Sequence, residues 1–242
     1  MMHLIQPMGG GGVRFLGEGF ESPKPLIMLR GKPFFYWAVQ SVACFVKEFD
    51  LTFVVLADHV EKFAIDREIK KYYPESRIVV IPEVLNGAVL TCLEGVKVID
   101  DGLPLLFNDC DHAFNCPQFY DFVNAGQRAD GGLITFKSSD PAYSYVRYEG
   151  ERAVGTVEKQ VVSSDAICGA YYFKSRDIFE GYTARYLENC SYSEYFVSGV
   201  YNEMAKDGCE IKIFSLEENF SFGTPKEYKE AALCSRLEEL YL

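Results

Sequence analysis

The chain has 242 residues, 48% hydrophobic and 15% aromatic, enough to bury one substantial core or two closely joined ones. Its formal net charge of −11, from 24 Lys and Arg against 35 Asp and Glu, argues against non-specific nucleic-acid binding, because phosphate is repelled unless basic groups gather locally. With no run of about 18 apolar residues, no membrane span is expected; without a basic lead-in or small-residue cleavage pattern at the N-terminus, a cytoplasmic location is expected.

Residues 4–8 read as a strand that runs directly into Gly9-Gly10-Gly11-Gly12-Val13-Arg14-Phe15. Further strands are expected at 51–56, 77–81, 103–107 and 132–136. The stretches between them suit helices. Residues 33–46 place Phe35, Ala38, Val39, Val42 and Val46 on one face at helical spacing. Residues 64–73, 87–99 and 117–127 follow, the last opening with Pro117 as first helical turns often do. Short apolar strands separated by helices imply a mostly parallel sheet covered on both faces.

Beyond residue 140 the pattern changes. Residues 143–158, with a turn at Glu149-Gly150, and 166–173, after a turn at Ser163-Ser164, read as aromatic and β-branched strands. Helices are expected at 177–187 and 195–206, then a strand at 210–214. A last helix begins at Thr224, a natural N-cap, with Pro225 in its first turn and Glu227 completing a capping box. No linker or low-complexity segment interrupts the chain, so a single domain over 1–242 is expected. The eight cysteines (44, 92, 110, 116, 168, 190, 209, 234) show no Cys-x-x-Cys spacing and read as buried, reduced thiols rather than zinc ligands.

The glycines sit after the first strand of an α/β sheet, where such folds bind ligands. Neither a P-loop nor a dinucleotide fingerprint fits: Gly17 is followed by Glu18, and Arg14-Phe15 occupies the place of a third glycine. Two readings stand on the glycines alone, an anion nest with Arg14 beside it or a flexible turn with a solvated arginine. Lys24, bracketed by Pro23 and Pro25, is held on a stiffened segment and is poorly explained as a solvated charge.

These stretches, "PMGGGGVRF", "PKPL" and "GKP", followed in order by "LFNDCD", "GGLITF", "SYVRY", "GTVEKQ", "GAYYFKS" and "FSFGTPKEY", resemble the nucleotidyltransferases that activate sugar phosphates or phospho-alcohols. The resemblance spans nearly the whole chain and extends to small capsule-biosynthesis members similar to phosphocholine cytidylyltransferase. It implies a Rossmann-like α/β fold of the nucleotide-diphospho-sugar transferase (GT-A-like) type, with residues 1–140 as the nucleotide-binding half and 141–242 as the acceptor-binding half. By the same resemblance, Met8, Gly9, Gly10, Gly11 and Gly12 would wrap a nucleoside triphosphate. Arg14 would hold the leaving β- and γ-phosphates, and Lys24 would sit by the α-phosphate. The base would lie near Glu83, Asn86, Gly87 and Ala88, with CTP, UTP or dTTP as the expected nucleotide. Lys159 would meet the acceptor phosphate, and Gly169, Tyr172, Gly223 and Thr224 would line the acceptor pocket.

Two like-charged phosphates resist approach, so Mg²⁺ is expected as a bridging cofactor. Asp109 and Asp111, at i and i+2 after a strand, would point to one side if extended. Asp111 matches the family's metal-binding aspartate, and Asp109 is a second candidate; the alternative is a turn with solvated acids. His112 reads as a polar neighbour. Many relatives carry another metal aspartate where this chain has Ser221; either one firm carboxylate suffices, or Glu217, Glu218 or Asp109 compensates, or activity is reduced.

The resemblance therefore implies a Mg²⁺-dependent enzyme that transfers NMP from an NTP to a sugar phosphate or small phospho-compound, releases pyrophosphate, and serves capsule or surface-polysaccharide synthesis. A homo-oligomer is admitted. Two rivals remain: a GT-A glycosyltransferase using a nucleotide-sugar, and a catalytically weak nucleotide- or metabolite-binding protein on the same scaffold.

Overall fold

Along strand β1, Met2–Met8, apolar side chains alternate between two layers, Leu4 and Met8 in one and Ile5 in the other. A strand buried on both faces needs helices above and below it, and the computed structural model, which describes residues 1–242 except the side chains of Val13 and Leu16, has them. After β1 come a short helix α1 (Val13–Leu16), a 3₁₀ turn at Lys24–Leu26, and a hairpin of β2 (Met28–Leu29) and β3 (Lys32–Pro33). The chain continues through α2 (Phe34–Ala43), β4 (Phe49–Leu56), α3 (Ala57–Phe63), α4 (Ile65–Tyr72), β5 (Arg77–Ile81) and α5 (Ala88–Val96). Then follow β6 (Leu105–Asn108), β7 (His112–Asn115), α6 (Pro117–Asn124) and β8 (Gly131–Lys137). The remainder is β9 (Ser144–Glu149), β10 (Arg152–Glu158), β11 (Asp165–Phe173), α7 (Arg176–Asn189), α8 (Val197–Lys206), β12 (Ile211–Ser215), β13 (Glu218–Ser221), α9 (Pro225–Leu233) and α10 (Arg236–Tyr241).

Nine strands form one mixed sheet. Its first half is parallel, in the order β6-β1-β4-β5. Strand β11 runs antiparallel to β6 through Ala170–Phe173 and to β8 on its other side, while β9 and β10 extend the sheet beyond it. Strand β12 closes against β8 in parallel. The α/β class and its covered sheet are thus as the sequence indicates.

One apolar layer joins Phe35, Val39 and Val42 of α2 to Phe119 of α6 across the sheet. The opposite layer joins Val89, Cys92 and Val96 of α5 to Phe179 of α7 and Tyr201 of α8. A third cluster, Phe15, Phe34, Trp37, Phe222 and Leu237, ties the segment after the glycines to the C-terminal helices. Trp37 Nε1–H, fully buried, donates to the Leu29 carbonyl at 2.8 Å.

Six elements escape the sequence reading, besides the short helix α1. Helix α3 buries little besides His59 and ends at Ala64, whose φ is +50°, so it lacks a full apolar stripe. The pair β7–β13 joins segments about a hundred residues apart in two four-residue strands, too short for a periodic signal. The β2–β3 hairpin is shorter still, and α10 is six residues. Of the cysteines, Cys92, Cys110, Cys116 and Cys168 are buried as expected, whereas Cys44 is exposed. No helix is long and apolar enough to cross a membrane.

Candidate active site

Two adjoining cavities, of about 500 and about 550 Å³, open beyond the carboxyl ends of β1 and β6 and share Arg14, Asp109, Asp111 and Gly223. The first also takes in Met8, Gly10, Gly12, Lys24, Ala88 and Lys159. The second takes in Gly169, Ser221 and Thr224. Residues expected to hold nucleotide, metal and acceptor therefore converge from the whole length of the chain.

The four glycines have different reasons. Gly9 is packed from behind: a Cβ there would stand 2.8 Å from Ile81 Cδ1 and Thr91 Oγ1. Gly10 has nothing within 4 Å of a would-be Cβ, so its bare backbone faces the open cavity. Gly11 looks the other way, into a separate cavity of about 360 Å³ that it shares with Glu83 and His59. Gly12 turns the chain against Lys24, whose Cβ would lie 3.3 Å from an added methyl.

Lys24 opens the 3₁₀ turn between buried Pro23 and Pro25 and forms an ion pair with Asp111. Burial is the largest single influence on the lysine and would lower its pKa, but the charge and hydrogen bond of Asp111, with the nearby Cys110 and Asp109, together turn the net shift upward. Asp111 is correspondingly held below the usual carboxylate range: burial would raise it, but the charge and hydrogen bond of Lys24, with His112 and a backbone hydrogen bond, together overcome that. Asp109 behaves oppositely: burial and the Asp111 charge push it up to about 7. The turn thus presents one firmly ionised carboxylate and one that a further cation would draw into ionised form. The i,i+2 pair does not lie on an extended strand, as the spacing suggested. Strand β6 stops at Asn108, and the two aspartates flank a turn into β7, yet both line the shared space.

Lys159 follows β10 with φ +53°, its N–H donating to the Tyr143 carbonyl at 3.1 Å. Its ammonium is over half exposed, 3.7 Å from Glu194 and 5.3 Å from the Phe196 ring centroid, and lines the first cavity with both. Arg14 is exposed and has no ion-pair partner among the described residues. Gly169 has φ +94°, and a Cβ there would meet Asp109 Oδ2 at 2.8 Å, so only glycine lets β11 pass this close. Thr224 caps α9 by accepting from Glu227 N–H at 3.3 Å and donating to Glu227 Oε2 at 2.9 Å; Tyr143 OH donates to Glu227 Oε1. The helix cap therefore also forms part of the second cavity's wall.

Several expectations need correction. Tyr172 does not reach the second cavity: it is fully buried among Phe119, Phe122 and Phe214, and Tyr171 lines the cavity instead. Strand alternation, which puts Gly169 and Tyr171 on one face, carried that signal. Gly9, Gly11 and Glu83 do not face the shared space. Asn86 and Gly87 lie outside both linings, beside Ala88, and pack against Tyr195: Tyr195 N–H donates to the Asn86 carbonyl and Val89 N–H to the Tyr195 carbonyl. Glu217 and Glu218 cannot stand in for the carboxylate missing at Ser221, since neither lines a cavity and Glu218 pairs with Arg236 at 3.0 Å. The sequence reading missed Glu158, a largely buried carboxylate in the first cavity that accepts from Ser144 and Ser198 hydroxyls. Its signal was its place beside Lys159.

Among the described residues no group of three or more His, Cys, Asp or Glu is gathered as a metal centre. Mg²⁺ rarely asks for one: it is usually held by one or two carboxylates and completed by water and substrate phosphate. Asp109 and Asp111, both facing the cavity, meet that requirement.

No family model matches the sequence, and no curated protein does. Solved structures match closely in shape. A nucleoside-diphosphate-sugar pyrophosphorylase from Vibrio cholerae superposes with a TM-score of 0.82 at 21% identity, over 95% of this chain and 99% of that one. An inositol-1-phosphate CTP transferase from T. maritima gives 0.76 at 17%, over 100% and 95%. A UDP-glucose pyrophosphorylase complexed with UDP-glucose gives 0.73 at 17%, over 96% and 97%. The fold is therefore the Rossmann-like fold of nucleotidyltransferases, a mixed central sheet flanked by helices.

Proposed function

We propose that the chain is a Mg²⁺-dependent nucleotidyltransferase that joins the NMP part of an NTP to a phosphorylated small molecule and releases pyrophosphate. The observation that carries this reading is the convergence of Arg14, Lys24, Lys159, Asp109 and Asp111 on one cavity in a molecule of net charge −11. The names of the structural neighbours, a CTP transferase and pyrophosphorylases, support it.

In the reaction an oxygen of the acceptor phosphate attacks the α-phosphorus, and the bond from that phosphorus to the bridging oxygen of pyrophosphate breaks. The chain's own task is to position two anions and to neutralise them as they meet. Gly10 offers backbone to the triphosphate, Arg14 neutralises the departing pyrophosphate, and Lys24 faces the α-phosphate. Lys159, exposed at the cavity's other side, receives the acceptor phosphate. Asp109 and Asp111 would hold Mg²⁺, which supplies charge neutralisation between the phosphates. Tyr171, Ser144 and Thr224 line the space left for the body of the acceptor, a sugar or a phospho-alcohol. Surface-polysaccharide synthesis is the proposed destination of the product, on the strength of the sequence resemblance.

The test is a pyrophosphate-release screen of common NTPs against sugar phosphates and phospho-alcohols, with and without Mg²⁺. One pairing should turn over only with Mg²⁺, and Lys24→Ala should lower kcat by about 100-fold or more while circular dichroism stays unchanged. Absence of pyrophosphate from every pairing, or undiminished turnover in Lys24→Ala, would overturn the proposal; breakdown of a nucleotide-sugar instead would favour glycosyl transfer.

A further inference from the structure

The turn that carries Asp109 and Asp111 is closed at its base by two side chains. Asn108, the last residue of β6, and His112, the first of β7, lie four residues apart and are both buried. Asn108 Nδ2 donates to the Ala38 carbonyl of α2 at 2.8 Å. A carbonyl only accepts, so this bond fixes which way the amide points and leaves Oδ1 facing His112. His112 Nε2 lies 2.7 Å from that oxygen and therefore carries the proton. We infer that His112 is a positioning residue, setting the placement of Asp109 and Asp111 through Asn108 and the α2 backbone. The inference rests on the reading of those carboxylates as the Mg²⁺-holding pair.

The other restraints on the turn are the Lys24–Asp111 ion pair and two backbone hydrogen bonds. Asp109 N–H donates to the Gly169 carbonyl at 3.0 Å, and Phe222 N–H donates to the Asp111 carbonyl at 2.9 Å. They locate the two ends of the turn against β11 and β13 and leave its span to the Asn108–His112 bond. The imidazole also walls Asp109: its Cε1 and Nδ1 would lie 2.9 and 3.1 Å from a Cβ at position 169, the same place that Asp109 Oδ2 crowds. A ring that shifted would release both the span of the turn and one side of the carboxylate. Partners of this kind, which orient groups that hold a cation, typically change metal affinity or activity by about 10- to 100-fold when removed.

The test compares His112→Gln, which keeps an amide N–H near the place of Nε2, with His112→Phe, which keeps the volume and loses the donor. Mn²⁺ binding to the protein alone, followed by the electron paramagnetic resonance of free Mn²⁺, is read beside kcat, KM for the NTP and thermal unfolding. In His112→Phe, Mn²⁺ affinity and kcat should each fall by about tenfold or more per folded molecule, with KM for the NTP changed by less than about threefold. His112→Gln should recover most of both. A purely structural histidine would lower the unfolding temperature and leave Mn²⁺ affinity and kcat of the folded fraction intact, and that outcome overturns the inference. Equal impairment in Gln and Phe variants overturns it too. Should His112→Phe not fold, Asn108→Ala removes the acceptor while keeping the imidazole, and the same losses are expected from it; their absence is decisive against the inference. Failure of the proposed function itself would look different, as a wild-type protein that neither binds Mn²⁺ nor releases pyrophosphate.

Discussion

Gly87 shows how packing alone can demand one particular residue. Its φ is +112°, and an added Cβ would stand 2.3 Å from the Tyr195 carbonyl oxygen and 2.4 Å from its nitrogen. Both the backbone angle and the contact exclude a side chain. Gly87→Ala should therefore cost about 2–4 kcal/mol in urea unfolding. Gly181, inside α7 with nothing within 4 Å, is the matched control: Gly181→Ala should add up to about 1 kcal/mol, because alanine fits a helix better. The sequence resemblance assigned Gly87 to the nucleotide base, whereas the structure gives it a packing reason. That reason lay in Tyr195, a residue with no sequence-local tie to it. By contrast the meeting of Arg14, Lys24, Asp111 and Lys159 on one cavity was legible, because the proline bracket, strand ends and motif order are local features. Tyr172 was misread for want of one step of strand alternation.

Among the elements, α9 is the best specified by local chemistry. Thr224, Pro225 and Glu227 start it as the sequence indicated, and the Thr224 hydroxyl both accepts from Glu227 N–H and donates to its carboxylate. Thr224→Ala should cost about 1 kcal/mol in thermal or urea unfolding, and Thr224→Ser should restore most of it. Helices with a full apolar stripe, such as α2 and α5, were read within a few residues of their observed ends, because burial of one face dictates their periodicity. Helix α3, with one buried side chain, and the short pair β7–β13 depend on partners remote in sequence, so periodicity carries no trace of them. The turn between β6 and β7 belongs with these. Its aspartates were named from the sequence, but the span they hold is set by Asn108 and His112.

For the whole molecule, the two apolar layers were foreseeable from uninterrupted apolar strands, while the order of strands was not, since β11 enters between β6 and β8 from far along the chain. Global stability should carry a readable mark of His59. Burial keeps its imidazole pKa below the ordinary value of about 6.5, with the Asp58 charge opposing. Below about pH 6.5 the unfolded chain binds a proton that the folded chain refuses, so stability falls as the pH falls. In His59→Gln the curve of unfolding free energy against pH should be shallower than wild type between about pH 6.5 and 5 and nearly parallel above about pH 7.5, as read from urea unfolding at each pH.

The long reach of β11 has a kinetic corollary. Gly169 and Tyr171, which wall the cavity, are synthesised well after the glycine loop and the Asp109–Asp111 turn, and pairing between β11 and β6 must close a large loop of chain before it forms. A nascent polypeptide would therefore present its glycine loop with no opposing wall. The cavity is completed late in folding, once the central antiparallel seam has zipped shut.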